Sequence, residues 1–307
     1  MDLTSPQGPK KNRNPGPFSG PRLAATAVAL SLSFGLIATG CSFTGGGIKQ
    51  ISGAPEGMVL VPAGPFTMGT DDDDESVAEE LGLPYTLVSD ATPARTVELP
   101  AFYMDIHELT NAQYLQFLDA TELPVGPPYG WSAERRPPEG TNDLPVTGIN
   151  WYEAQFACLY FGKRLPSEAE WEKAARGTDG NLFPWGNSYD ESKANVAAGK
   201  PGRLAPVGSH PQGASVYGVQ DMAGNAWEWT RSWYAPYPGS EFESDNYGKR
   251  FKVLRGNSHA APGHYPVEQL RKVVGAMSST TYRFSLTPTG KSPDSGVRCS
   301  RDADLTP

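Results

Sequence analysis

From Gly57 onward the apolar positions fall in short bursts rather than long periodic runs. Met58–Pro62, Phe66–Met68, Thr96–Leu99, Phe102–Asp105 and Lys252–Arg255 are brief apolar-centred stretches of strand length, and they predict strands. Three other stretches carry helix starts. Thr110 with Gln113 is a capping box opening Asn111–Asp119; Asn150 with Glu153 opens Trp151–Phe161; Ser167 with Glu170 opens Glu168–Arg176. Gly162 and Gly177 are placed to stop the second and third helices. The third has Glu168 and Glu170 in its first turn and Lys173 and Arg176 in its last, as the helix dipole favours. The rest reads as turn and irregular backbone, with no internal repeat. So much coil in one compact body is unusual and calls for extra staples, such as a disulfide or bound ions.

The pattern is different before Gly57. Residues 1–22 are polar and carry Lys10, Lys11, Arg13 and Arg22, whereas Leu23 to Gly40 carry no charge. That uncharged stretch is at the lower limit of a membrane span, and the order basic, apolar, small is that of a secretory signal. It ends Ala38-Thr39-Gly40-Cys41, which resembles a bacterial lipobox, in which the Cys is lipidated and becomes the new first residue. An uncleaved signal anchor is the competing reading. The expected organisation is a signal peptide over 1–40, lipidated Cys41 with a Gly- and Ser-rich tether over 41–56, one domain over 57–302, and a tail over 303–307. The expected location is outside the cytoplasm, on the cell envelope (periplasm or outer membrane), with the membrane as partner through the lipid.

Composition narrows the function classes. The chain of 307 residues contains 34 Gly and 29 Pro, about a fifth of the total, which disfavours a helical bundle. Its 26 basic and 34 acidic residues give a net charge of −8, so there is no electrostatic footprint for nucleic acid. With 4 His and 3 Cys it is neither a zinc-finger array nor a disulfide-dense mini-protein. If Cys41 takes lipid, Cys158 and Cys299 remain, either as one bridge or as two buried thiols. The acidic run Asp71–Glu75 reads as a solvated loop. A G-x-S-x-G elbow, a P-loop and a G-x-G-x-x-G are all missing.

Several segments then read together: Phe66-Thr67-Met68-Gly69; Phe102 to Tyr114, with Asp105-Ile106-His107-Glu108-Leu109-Thr110-Asn111 at its centre; Pro145-Val146 with Asn150-Trp151; Gly162 to Glu172; Pro184-Trp185-Gly186-Asn187; Asp221-Met222-Ala223-Gly224-Asn225-Ala226-Trp227-Glu228-Trp229; Leu254-Arg255-Gly256; and Gly296-Val297-Arg298-Cys299. In this order they resemble the formylglycine-generating enzymes, or sulfatase-modifying factors, over about residues 57–302. The resemblance implies an α+β domain of the formylglycine-generating-enzyme fold, C-type-lectin-like and rich in irregular structure.

It also implies a chemistry. Members of that family oxidise a Cys within a Cys-x-Pro-x-Arg segment of a sulfatase to formylglycine, with oxygen and a copper ion held by two cysteines. Those cysteines lie five residues apart after an Arg-Gly-Gly-Ser segment, whose counterpart here is Arg255-Gly256-Asn257-Ser258. Counting on without a gap gives Ala261 and Pro266, and there is no Cys between Cys158 and Cys299 in any register. Without thiolates there is no soft site for Cu(I) and no thiol nucleophile, so copper and formylglycine-generating activity are not expected. Cys158 and Cys299 match family positions that form a structural disulfide, while a second family bridge, near Ala175 and Phe284, is missing both halves.

Asp221, Gly224, Ala226 and Glu228 match the family's calcium site, with two carboxylates bracketing two backbone carbonyls, a ligand chemistry that suits Ca²⁺. Asn195 and Val196 match the start of a second calcium site, whose Asp falls near Gly199. His259 and His264 lie in the loop where the copper cysteines would be, and imidazoles there are a candidate transition-metal pair, although two ligands alone make no stable site. The expected function is that of a membrane-anchored binding or structural module of the envelope, with envelope proteins or a complex as partners. The alternative is a metal-dependent oxidoreductase with altered active-site chemistry.

Overall fold

The structure is a computed structural model, and it describes residues 54–71, 87–197, 202–263 and 265–303. Cys41, Gly199, His264 and most of the acidic run lie outside the described residues.

Four short strands open the body: β1 (Met58–Val61), β2 (Gly64–Met68), β3 (Arg95–Leu99) and β4 (Phe102–Asp105). Three helices follow, α1 (Asn111–Thr121), α2 (Trp151–Tyr160) and α3 (Glu168–Arg176). All three start on a reciprocal capping box, as the sequence predicts; at α3, Glu170 N–H donates to Ser167 Oγ at 3.1 Å and Ser167 N–H donates to Glu170 Oε2 at 2.7 Å. Each box satisfies two N–H groups that the first turn cannot pair for itself.

The second half holds β5 (Trp227–Trp233), β6 (Lys252–Arg255), helix α4 (Val267–Met277), β7 (Phe284–Leu286), β8 (Ser295–Gly296) and β9 (Ser300–Asp302). One sheet has the order β1-β4-β9 and is antiparallel, with Met58 opposite Asp105 and Met104 opposite Ser300. A second has the order β7-β6-β5-β8, in which Glu228 faces Arg255 and β8 joins β5 in parallel. β2 and β3 form a separate antiparallel pair. No helix among the described residues is long and apolar enough to cross a membrane.

The main core gathers Tyr114, Phe117 and Leu118 of α1, Ala154, Ala157 and Cys158 of α2, and Trp229 and Leu254 of the second sheet. A second cluster packs Phe102 and Met104 of the first sheet on Trp171 of α3. Cys158 and Cys299 are joined, with Cα atoms 5.6 Å apart, so α2 is stapled to the residue before β9. The bridge closes 141 residues of chain.

Helix α3 is mostly charged and yet buried. Its charges are paired instead of solvated, as burial demands. Glu172 binds Arg255 at 2.5 Å and Arg176 at 3.0 Å; Glu168 binds Arg283 at 2.7 Å; Lys173 Nζ donates to the carbonyls of Pro62 and Gly64 at 2.8 and 2.7 Å. This network ties β2, β6 and the segment after α4 to one helix.

Candidate functional site

The segment 221–228 enters the second sheet from an irregular loop. Asp221 is at φ +58° and Asn225 at +63°, left-handed conformations that Asn and Asp tolerate better than most residues. Gly208 N–H donates to Asp221 Oδ2 at 2.6 Å. A side chain at Gly224 would collide with the carbonyl of Asn195, 2.5 Å from the Cβ position, so only glycine lets the two loops approach.

Glu228, expected as a calcium ligand, is fully buried, and its carboxylate accepts from Arg298 Nη2 at 2.7 Å, Arg298 Nε at 3.0 Å and Trp171 Nε1 at 2.7 Å. Arg298 also donates to the carbonyls of Asp105, Ile106 and Gln220. Beside this pair is a residue with no assigned role in the sequence reading. Glu108 is 2% exposed, and neither carboxylate oxygen has a hydrogen-bond partner. Burial pushes its carboxyl well above the ordinary range, and the charge of Asp221 adds to the effect. Glu108, Asp221 and Glu228 are thus electrostatic neighbours of Arg298, which contacts Glu228 alone of the three.

An orphaned buried carboxylate beside a second one is what a hard cation relieves. Glu108 and Asp221 fit calcium on that ground, whereas Glu228 is already matched by Arg298. Among the described residues no cluster of three or more His, Cys, Asp and Glu side chains is arranged to hold a metal. The expected second site is differently used. Asn195 Nδ2 donates to Arg203 O and Asn225 Oδ1, each at 2.9 Å, and its carbonyl accepts from Asn225 N–H at 2.8 Å.

The segment Arg255 to Ser258 ends β6 and turns toward α4. Arg255 is fully buried and donates to the carbonyls of Thr280, Thr281 and Tyr282, holding the chain after α4. Asn257 Nδ2 donates to Ser278 Oγ at 2.9 Å. Ser258 Oγ donates to Asp294 at 2.6 Å, so His259 does not activate it. His259 Nδ1 lies 2.8 Å from the carbonyl of Asn225. That contact makes Nδ1 the protonated nitrogen and leaves Nε2 the basic one. Of the gap-free counterparts of the copper cysteines, Ala261 is in an exposed loop and Pro266 is the residue that precedes α4.

Helix α4 and residues 182–193 enclose a cleft of about 1080 Å³. One wall is the stacked pair Phe183 and Trp185, with ring centroids 5.5 Å apart, beside Tyr189. The other is α4, through Glu268, Arg271 and Gly275. Burial raises the Tyr189 hydroxyl to about 12, and its oxygen has no partner.

The fold and these segments define a sulfatase-modifying-factor domain. Residues 48–303 match the family described as sulfatase-modifying factor enzyme 1-like domain, and the chain belongs to it. It is 34% identical over 244 residues to hercynine oxygenase of Mycolicibacterium smegmatis (67% of this chain, 55% of that one) and so spans little more than half of that relative. It is 30% identical over 303 residues to the formylglycine-generating enzyme of Bos taurus (81% and 75%), and 29% identical over 294 residues to the inactive C-alpha-formylglycine-generating enzyme 2 of Mus musculus (80% and 86%). Among solved structures, PvdO from Pseudomonas aeruginosa superimposes with a TM-score of 0.58 at 25% identity, over 83% of this chain and 97% of that one. CarF superimposes with a TM-score of 0.56 at 20% identity, over 81% and 99%, and shares the fold.

Proposed function

We propose that this protein is a lipid-anchored envelope module whose sulfatase-modifying-factor domain binds a partner and does not make formylglycine. One observation carries this reading. The two cysteines of the body are consumed in the Cys158–Cys299 bridge, fully buried, so neither offers a thiolate. The family includes a member named inactive, which fits a non-generating role. The cleft beside α4, with its aromatic wall of Phe183 and Trp185, supports a binding role. Calcium, held by Glu108 and Asp221 with the carbonyls of Gly224 and Ala226, would neutralise the surplus charge at the base of the second sheet.

The test is incubation of the protein with copper, oxygen, a thiol reductant and a Cys-x-Pro-x-Arg peptide. The expected result is a peptide of unchanged mass, and conversion of its Cys to the aldehyde overturns the reading. Anchoring at Cys41 is tested separately: labelled palmitate enters the chain, and Cys41→Ser abolishes the label.

A second reading rests on His259. Its Nδ1 contact with Asn225 fixes the ring and presents Nε2 for a metal, and a relative is named an oxygenase. Elemental analysis decides between the two. Stoichiometric iron, copper or zinc, lost on His259→Ala, supports the altered oxidoreductase; calcium alone supports the binding module.

A further inference from the structure

Helix α2 has an outer face of unusual chemistry. Its exposed residues are Tyr152, Phe156, Leu159 and Tyr160, at 45%, 47%, 52% and 36% exposure, and every one is aromatic or aliphatic. The spacing i, i+4, i+7, i+8 puts them in one stripe. The opposite face, Ala154, Ala157 and Cys158, is already buried in the core. The one charged residue of the helix, Glu153, is buried and paired with Lys291 at 2.8 Å. The rings are propped, Tyr152 against Trp151 at 5.2 Å and Tyr160 against Phe117 at 5.8 Å, so the stripe is held outward by packing.

The chain enters the body at Gly57, which is linked to the core-facing side of this helix. Ile106 N–H donates to Gly57 O at 2.9 Å, and Asp105 N–H donates to Cys299 O at 3.0 Å. Cys299 is bonded to Cys158 of α2, and Asp105 also holds Lys163, just past the helix, at 2.6 Å. Two hydrogen bonds and one disulfide therefore link the entry point to α2. The chain from Cys41 to Gly57 reaches at most roughly 55 Å when fully extended, so a body anchored through Cys41 stays within that distance of the bilayer.

We propose that the α2 stripe docks on the membrane surface, with Tyr152, Phe156, Leu159 and Tyr160 seated at the headgroup–acyl boundary. The proposal rests on the anchored reading above. Tyr suits that boundary because its ring is apolar and its hydroxyl is wet, and Phe and Leu supply the buried area. The net charge of −8 gives no attraction to anionic lipid, so contact comes from apolar burial, and a zwitterionic bilayer suffices.

The test uses the full chain in phosphatidylcholine vesicles containing a phosphatidylcholine with a photoreactive diazirine high in one acyl chain. After flotation and illumination, adducts are mapped by peptide. The expected result is lipid adducts on the peptide spanning residues 151–163. Phe156→Gln with Leu159→Gln should lower them several-fold without changing flotation. A chain that floats but carries no adduct on α2 overturns the docking and spares the anchor. So does an α2 shielded by self-association, seen as a mass that rises with protein concentration. A chain that does not float overturns the anchor and the docking together. The wild-type map needs no variant, so a misfolded variant does not blunt the test.

Discussion

Arg298 grips Glu228 through Nη2 at 2.7 Å and Nε at 3.0 Å, and neither side chain has solvent exposure. The pair joins β5 to the segment before the disulfide, and Trp171 of α3 adds a third donor. Removing one member leaves the other charge buried alone, which costs about 3–5 kcal/mol. Arg298→Met is therefore expected to lower the unfolding free energy read from a urea titration by that amount, with a lower midpoint and an unchanged slope. A loss under 1 kcal/mol would mean that the pair is dispensable.

Calcium should raise the melting temperature, because a ligand of the native state stabilises it by mass action, about 2.7 kcal/mol at a concentration 100 times Kd. Glu108→Gln should remove that response and leave the calcium-free protein as stable as before or more so, since it deletes an orphaned carboxylate. A melting curve indifferent to both calcium and chelator rules the ion out.

The buried network around α3 predicts an acid limb. Burial alone would raise the Glu168 carboxyl, but Arg283 and Arg255 outweigh it and hold it below its ordinary 4.5. A depressed carboxyl contributes its stability in full above that ordinary value and loses it as pH falls through the folded value. Glu168→Gln should therefore lower stability at pH 7 and flatten the decline below pH 4.5. Asp90 in the same network has the opposite sign, since burial holds it above its ordinary 3.8. The diagnostic is the difference between the two proteins, read by denaturation at several pH values.

Reduction of the bridge removes a constraint on 141 residues of unfolded chain. In the chain-entropy picture a loop of that size is worth about 5 kcal/mol. The reduced protein, or the Cys158→Ala/Cys299→Ala pair, should melt well below the oxidised one. Equal melting temperatures would mean that the core alone holds α2 against β9.

The sequence was most legible where local chemistry decides structure. The three capping boxes placed the starts of α1, α2 and α3, and the predicted Glu168–Arg176 coincides with α3. The five predicted strands all formed, three of them longer or shorter by a residue or two than expected. The bridge, left open against two thiols on composition and implied by the resemblance, is present. Helix α4 and strands β5, β7, β8 and β9 escaped, the last three of them only two or three residues long. β5 escapes because its first four residues are all buried, leaving no alternation to mark a strand, and its first two, Trp227 and Glu228, fall within the segment 221–228 that the resemblance assigns to calcium. α4 lacks a side-chain cap and begins after Pro266, although Val267, Leu270, Val273, Val274 and Met277 carry the helical period. Glu108 is not legible as a site residue in the sequence, because the charges around it come from residues more than a hundred positions away.

The sheet β1-β4-β9 brings the earliest and latest strands of the body into one sheet, on either side of β4. A chain threaded amino end first, from a ribosome or through a membrane pore, must release Ser300–Asp302 before this sheet can close. Until then Cys299 is not in place to meet Cys158, and the longest-range contacts of the body are unmade. Closure of this sheet therefore waits for residues 300–302 to emerge, and it completes on whichever side of a membrane they arrive.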